Sequence, residues 1–205
     1  TQKVERVIAD FFGLEAAALV RGAGSGAIRA AVWAVARSGD TVLVHEAPVY
    51  NTTKFLFDTM GLKTLSCDFN FLEEIAKIAE REKFSFALLQ HARQKMEDRY
   101  SLDEVVSALK RLVPEAPIIT DDNYAALKVS RIGAQSGADL STFSAFKLLG
   151  PEGVGCVVGK AEPIERIHKM NYSGGGQVQG HEAMEALRGM IYAPVALAVQ
   201  AEVIE

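Results

Sequence analysis

The sequence predicts an α/β fold: three layers, α/β/α, around a mostly parallel seven-stranded sheet whose last strand runs antiparallel. Seven short apolar runs alternate with amphipathic helical patterns almost from end to end, the signature of strands buried on both faces by crossover helices. The final two runs are separated only by the loop around 146–153, too short for a helical crossover, so the last strand must reverse direction. With 205 residues, 49% of them hydrophobic and 23% charged, the chain is large enough for one α/β domain with a substantial core.

Residues 2–12 (QKVERVIADFF) read as an amphipathic helix with Val4, Ile8, Phe11 and Phe12 on one face. Strands are expected at 17–20, 41–45, 63–67, 84–90, 117–120, 140–143 and 154–159, with helices near 26–37, 52–60, 71–81 and 102–112. Two further helical segments, 161–170 and 179–192, flank the glycine-rich 173–176. A last helical pattern follows Pro194. Both ends fall inside helical patterns, so residues 1–205 are expected to be the large domain of a longer polypeptide, with an N-terminal arm and a smaller C-terminal domain outside it. The polar loop 91–100 lies just past a strand end, where such sheets bind ligands.

A formal charge of −4 with no basic run argues against nucleic acid or a membrane surface as the main partner. No apolar stretch has the length to span a bilayer, and the N-terminus lacks the basic and apolar regions of a signal peptide, so the cytoplasm is the expected compartment. Cys67 and Cys156 lie in or beside apolar runs and are expected to be buried free thiols.

Three segments carry chemistry. Gly22-Ala23-Gly24-Ser25-Gly26-Ala27 sits between a strand and a long helix, where glycines allow close approach of an anion to the amides of the first helical turn. The same letters fit the dinucleotide pattern G-x-G-x-x-A, with Glu46 after the next strand available for a ribose. They also suit a purely structural tight turn. A P-loop is excluded, because no Gly-Lys-Ser/Thr follows. Second, Lys147 follows a strand among apolar residues and glycines. Burial would disfavour its ammonium form, which suits a Schiff-base lysine, and Ser144 three residues earlier offers a hydroxyl to a phosphate. Third, Asp121 and Asp122 end a buried strand, a costly place for carboxylates unless they face a cation such as a pyridinium nitrogen. Taken singly, a surface lysine and a turn-capping aspartate are the plain alternatives. No metal-ligand spacing is present.

The loop Lys147-Leu-Leu-Gly-Pro-Glu-Gly-Val-Gly resembles the lysine loop of fold-type I pyridoxal-phosphate enzymes, notably the K-x-x-G-P-x-G-x-G of the class V aminotransferase group. The 26-residue interval from Asp121 to Lys147 and the later Gly174-Gly175-Gly176-Gln177 are similar to that group as well. Tyr50-Asn51-Thr52-Thr53 resembles the Y-G-G-T of the cystathionine synthase and lyase branch, so the mixture looks like a separate bacterial branch of the superfamily. The resemblance implies pyridoxal 5′-phosphate as cofactor, joined to Lys147, with Asp121 on the ring nitrogen. Asp121 is preferred to Asp122 because Tyr124 then falls three residues later, as in the family's aromatic-containing patterns. Gly24, Ser25, Gly26 and Ser144 would hold the phosphate, and Tyr50 would stack on the ring. Phe146 departs from the threonine usual before the lysine. Gln90-His91-Ala92-Arg93 departs from E-S-P-x-N-P, leaving His91 and Arg93 as candidates for the cofactor or the substrate carboxylate. The implied activity is a reaction at an amino acid: aminotransferase first, carbon–sulfur lyase of the cystathionine or methionine type as the alternative. Outside this chemistry stand a dinucleotide-dependent oxidoreductase and a non-catalytic pyridoxal-phosphate-binding module. The resemblance also implies a homodimer or dimer of dimers, with the 174–179 segment placed to reach the partner.

Overall fold

The computed structural model describes residues 1–173 and 175–204. Seven strands form one sheet: β1 (Ala16–Arg21), β2 (Thr41–His45), β3 (Lys63–Cys67), β4 (Phe86–Gln90), β5 (Ile118–Asp121), β6 (Leu140–Ser144) and β7 (Val154–Gly159). Seven α-helices surround it: α1 (Gln2–Phe12), α2 (Ala23–Val35), α3 (Asn51–Met60), α4 (Leu72–Arg81), α5 (Leu102–Leu112), α6 (Ala161–Asn171) and α7 (Gly180–Ile204). The spatial order is β1-β7-β6-β5-β4-β2-β3. β2 to β6 pair in parallel, whereas β7 runs antiparallel to both β6 and β1, as the short connecting loop requires. Every residue of β6 and β7 is buried, so these strands form the two-sided interior of the sheet.

This order removes the dinucleotide reading. That fold needs the glycine turn on a strand neighbouring the one that supplies the acid. Here β1 is an edge strand, and β7, β6, β5 and β4 lie between it and β2, at whose end the exposed Glu46 sits.

α2 covers the sheet with alanines (Ala27, Ala30, Ala31 and Ala34, all buried), which lets it lie close to β6 and β7. It begins at Ala23, three residues before the expected start, so the glycines belong to its first turn. α1 buries Val4, Ile8 and Phe12, but Phe11 is exposed and only its ring edge meets Phe12. The buried stripe follows the 4–8–12 row, and Glu5 and Ala9 occupy the flank that the pattern had assigned to Phe11. The helix ends at Gly13, whose left-handed φ of 65° lets the amides of Gly13 and Leu14 return to Asp10 and Ala9.

The expected helix 179–192 and the helical pattern after Pro194 are one 25-residue helix that runs through Pro194. Joined, they have the length and composition to cross a membrane, with mean hydropathy 1.3 over the most apolar window, which the pattern broken at Pro194 had concealed. In the fold, α7 packs Ala183, Ala186, Gly189, Met190 and Ala193 inward. Gly189 has no room for a side chain: a Cβ there would lie 2.5 Å from the amide nitrogen of Gly150. α7 therefore props the loop that carries Lys147. Cys67 and Cys156 are buried free thiols; burial, with Glu74, Asp68 and Glu46 adding to it, pushes the Cys67 thiol up to about 12.

The outer edge of β1 is closed by a side chain. Glu5, buried beneath α1, accepts the Leu19 amide at 2.9 Å, so the sheet's free edge offers one fewer unpaired donor. Glu5→Ala leaves that amide buried without an acceptor. It should cost about 1–3 kcal/mol, seen as an earlier denaturant midpoint. An unchanged midpoint would show that water replaces the carboxylate.

Candidate active site

The site forms where the carboxyl ends of β4, β5 and β6 meet the amino ends of α2 and α3. β1 delivers the chain into α2 through two left-handed residues, Gly22 (φ 98°) and Ala23 (φ 53°). Their amides donate to the Gly153 carbonyl at 2.9 and 3.2 Å. Gly155 must be a glycine for the same reason, because a Cβ there would stand 2.0 Å from the Ala23 carbonyl oxygen. The glycine turn thus rests directly on the loop that follows Lys147. With the Ala23 amide given to Gly153 and the Gly26 amide to the Gly22 carbonyl, the Gly24 and Ser25 amides are the first-turn donors of α2 without a carbonyl, and together with the helix dipole they favour an anion. Ser25 Oγ hydrogen-bonds Thr52 Oγ1 at 2.9 Å, tying the amino end of α2 to that of α3. Tyr50 immediately precedes α3 and is 69% exposed, its ring free to cover a ligand.

Ser144 closes β6. It is buried, and its hydroxyl has no hydrogen-bond partner. Lys147 lies on the short 3-10 turn Phe146–Leu148. It is half-buried, not enclosed as the apolar sequence around it suggested, because its neighbours Phe146 and Leu149 turn outward. Its Nζ sits 3.3 Å from the ring centroid of Tyr124, a cation–π contact. Tyr124, 62% exposed, therefore meets the lysine.

The two aspartates point to opposite faces of β5, as strand alternation demands. Asp121 faces a cleft lined by Val44, His45, Tyr50, Leu88, Gln90 and Gln94. Burial raises its carboxyl above the usual range. Hydrogen bonds from Asn123 pull down, the neighbouring Asp122 charge pushes up, and Lys147 pulls down last. Asp122 is fully buried on the other side, where it accepts from Thr120 Oγ1 (2.5 Å) and the Gly133 amide and lies 2.6 Å from His91 Nδ1. That pairing turns His91 away from the cleft, so the expected cofactor or substrate contact from His91 is replaced by a structural one. Arg93 is exposed on the loop and does not line the cleft. Gln90 and Gln94 do line it. The sequence offered no sign of this, because an amide at a strand end looks like any polar loop residue.

Loop 91–100 is held by a buried knot. His45 Nδ1 accepts the Phe69 amide, so its Nε2–H is left for Asp98, 3.0 Å away. Asp98 also accepts the Lys95 and Gln94 amides, and Phe69 and Tyr100 pack on the imidazole. In the resembling segment 174–177, Gly174 lies outside the described residues. Gln177 bridges to Val20, and its carbonyl accepts from Arg21. Among the described residues, no group of three or more His, Cys, Asp or Glu side chains could hold a metal ion.

An anion-binding helix terminus, an unpartnered hydroxyl beside it, a lysine on a glycine-supported loop and a cleft carboxylate lacking a full counter-charge match the phosphate, aldehyde and ring nitrogen of pyridoxal phosphate. The residues present fit that cofactor, and the seven-stranded sheet is that of the fold-type I enzymes that use it. The comparisons agree. The family model for Cys/Met metabolism PLP-dependent enzymes matches residues 1–200, and the chain belongs to that family. It is 51% identical over all 205 residues to YhfS of Escherichia coli K12, described as an uncharacterized protein. A crystal structure of YhfS, described as pyridoxal-5′-phosphate dependent, superposes over 99% of the chain with a TM-score of 0.95. The chain spans 56% of that relative's length. At 18% identity, a putative cystathionine beta-lyase from Clostridium acetobutylicum (TM-score 0.81) and the methionine gamma lyase CalE6 of Micromonospora echinospora (0.79) share the fold, each over 94% of this chain and 53% of the other.

The knot around Asp98 gives a pH signature. Burial alone would raise this carboxyl; the Lys95 amide, His45, Asn70 and the Gln94 amide outweigh it and hold the group at about 2, against 3.8 ordinarily. A depressed native value means stability that is present above about pH 4 and lost as pH falls towards 2. Asp98→Asn should therefore be less stable at neutral pH and lose less stability on acidification. Parallel acid limbs in denaturant titrations of the two proteins would refute this.

Proposed function

We propose that this chain is the cofactor-binding part of a pyridoxal-phosphate-dependent carbon–sulfur lyase acting on a sulfur-containing amino acid of the cysteine or methionine type. The single observation that carries this is the match of the Cys/Met metabolism family to residues 1–200; the Lys147 charge acting on Asp121, and Asn123 standing between Asp121 and Gly24, support it. The expectation of an aminotransferase gives way, because the neighbours described as cystathionine beta-lyase and methionine gamma lyase support the lyase alternative.

Bound pyridoxal phosphate supplies an electron sink for a bond broken at the amino acid's α-carbon. The chain does the rest. The first turn of α2 and Ser144 would hold the phosphate, and Tyr50 would cover the ring. Asp121 keeps the proton on the ring nitrogen; its carboxyl, raised by burial, gains the counter-charge that the fold alone supplies only through Lys147. Lys147 would hold the cofactor's aldehyde end, and its amine, when free, would be the base for the proton on the substrate's α-carbon. Elimination would release a thiol, ammonia and a keto acid, whereas transamination would leave pyridoxamine phosphate on the protein. In this reading the full polypeptide works as a homodimer.

Lys147→Ala should remove the visible absorbance of lysine-bound cofactor and lower turnover by about a thousandfold. An unaltered spectrum would end the assignment. Asp121→Asn should keep most cofactor binding and lose about a hundredfold in turnover; near-normal turnover would move the role to Asp122. Incubation with cysteine, cystathionine and methionine, followed by assay of keto acid and thiol, tests the reaction class. Accumulation of pyridoxamine phosphate without thiol would favour transamination.

A further inference from the structure

We infer that Asn123 is a positioning residue that sets the distance between the two ends of the cofactor site, by gripping Asp121 on one side and bearing on Gly24 on the other. The inference rests on the cofactor assignment above and goes beyond it to a residue to which that assignment gives no role.

Two bonds make the grip. The Asn123 amide and its side-chain Nδ2 both donate to Asp121 Oδ1, at 3.0 and 2.7 Å. These bonds counter the effect of burial on the Asp121 carboxyl. Because a carboxylate only accepts, Nδ2 must face Asp121, and Oδ1 is forced the other way. There it meets α2: a Cβ added to Gly24 would lie 2.1 Å from Oδ1 and 2.5 Å from Nδ2. Oδ1 is buried and has no hydrogen-bond partner. A buried acceptor left unpaired costs about 1–3 kcal/mol, so the orientation is imposed by Asp121 against a local penalty.

The arrangement couples two anchors that come from distant parts of the chain. Asp121 belongs to β5 and Gly24 to the first turn of α2, and the cofactor must reach from one to the other. A planar amide packed between them fixes that span and also keeps the carboxylate from rotating. The contacts of Asn123 are with Asp121 and against Gly24, so it acts through them.

The test uses the full-length protein and pyridoxal phosphate itself, reading cofactor affinity and the pH midpoint of the bound cofactor's visible absorbance. Asn123→Asp keeps the shape but replaces the donor with a second carboxylate. It should weaken cofactor binding about tenfold and shift the pH midpoint by about half a unit or more. Gly24→Ala should weaken binding about tenfold alone, yet by less than about threefold when Asn123→Ala is already present, because the colliding side chain is then gone. Unaltered affinity and midpoint in Asn123→Asp, or an undiminished Gly24→Ala penalty in the double variant, would overturn the inference and leave the proposed function standing. Failure of the unaltered protein to bind the cofactor would overturn both.

Discussion

The bond pair from Gly22 and Ala23 to the Gly153 carbonyl is the constraint on which the site depends. It fastens the anion-binding end of α2 to the loop that presents Lys147 and sets two segments more than a hundred residues apart in fixed register. The contact exists because β1 returns to the sheet edge antiparallel to β7, which places the end of one strand beside the start of the other. Gly155 makes the approach sterically possible, and Gly189 lets α7 press on the same loop from behind. Small residues at these positions serve proximity, not flexibility. Each of the two positions would put a side-chain carbon within 2.5 Å of backbone atoms.

Electrostatics divides the adjacent acids. Asp121 and Asp122 share a peptide bond but live in different surroundings. One is turned to the cleft with incomplete compensation, and the other is buried among donors and beside His91. In the function proposed, the under-compensated aspartate is the one kept for chemistry, and Asp122 has its partners within the fold. The His45–Asp98 knot performs a comparable service for loop 91–100, which brings Gln94 to the wall of the cleft.

The sheet was largely legible in the sequence because β1, β2, β4, β5, β6 and β7 are mostly buried and read as apolar runs, whereas the edge strand β3 is mostly exposed and is marked by its place in the alternation. The reversal of β7 followed from loop length alone. Strand ends were missed by one or two residues where polar side chains continue the ladder, as Asp121 and Ser144 do. α7 was divided at Pro194 because a proline in a helical pattern normally marks a boundary, yet the helix passes through it. Lys147, Asp121 and the glycine turn stand out in the sequence because the chemistry proposed needs those residue types near strand ends. His91 was misassigned because its partner, Asp122, lies 31 positions away and no local pattern links them. Asn123 and Gln94 stayed hidden because their roles come from packing across elements.

The buried cysteines carry a consequence for the chemistry proposed. Thiolates, not thiols, attack disulfides. With the Cys67 thiol pushed up to about 12 and the side chain enclosed, only about one molecule in a hundred thousand would carry a thiolate there at neutral pH. Cys156 is shielded in the same way inside β7. If the elimination proposed releases thiols, capping of the protein would still require a disulfide and a protein thiolate to attack it, and the enclosed Cys67 and Cys156 withhold the second.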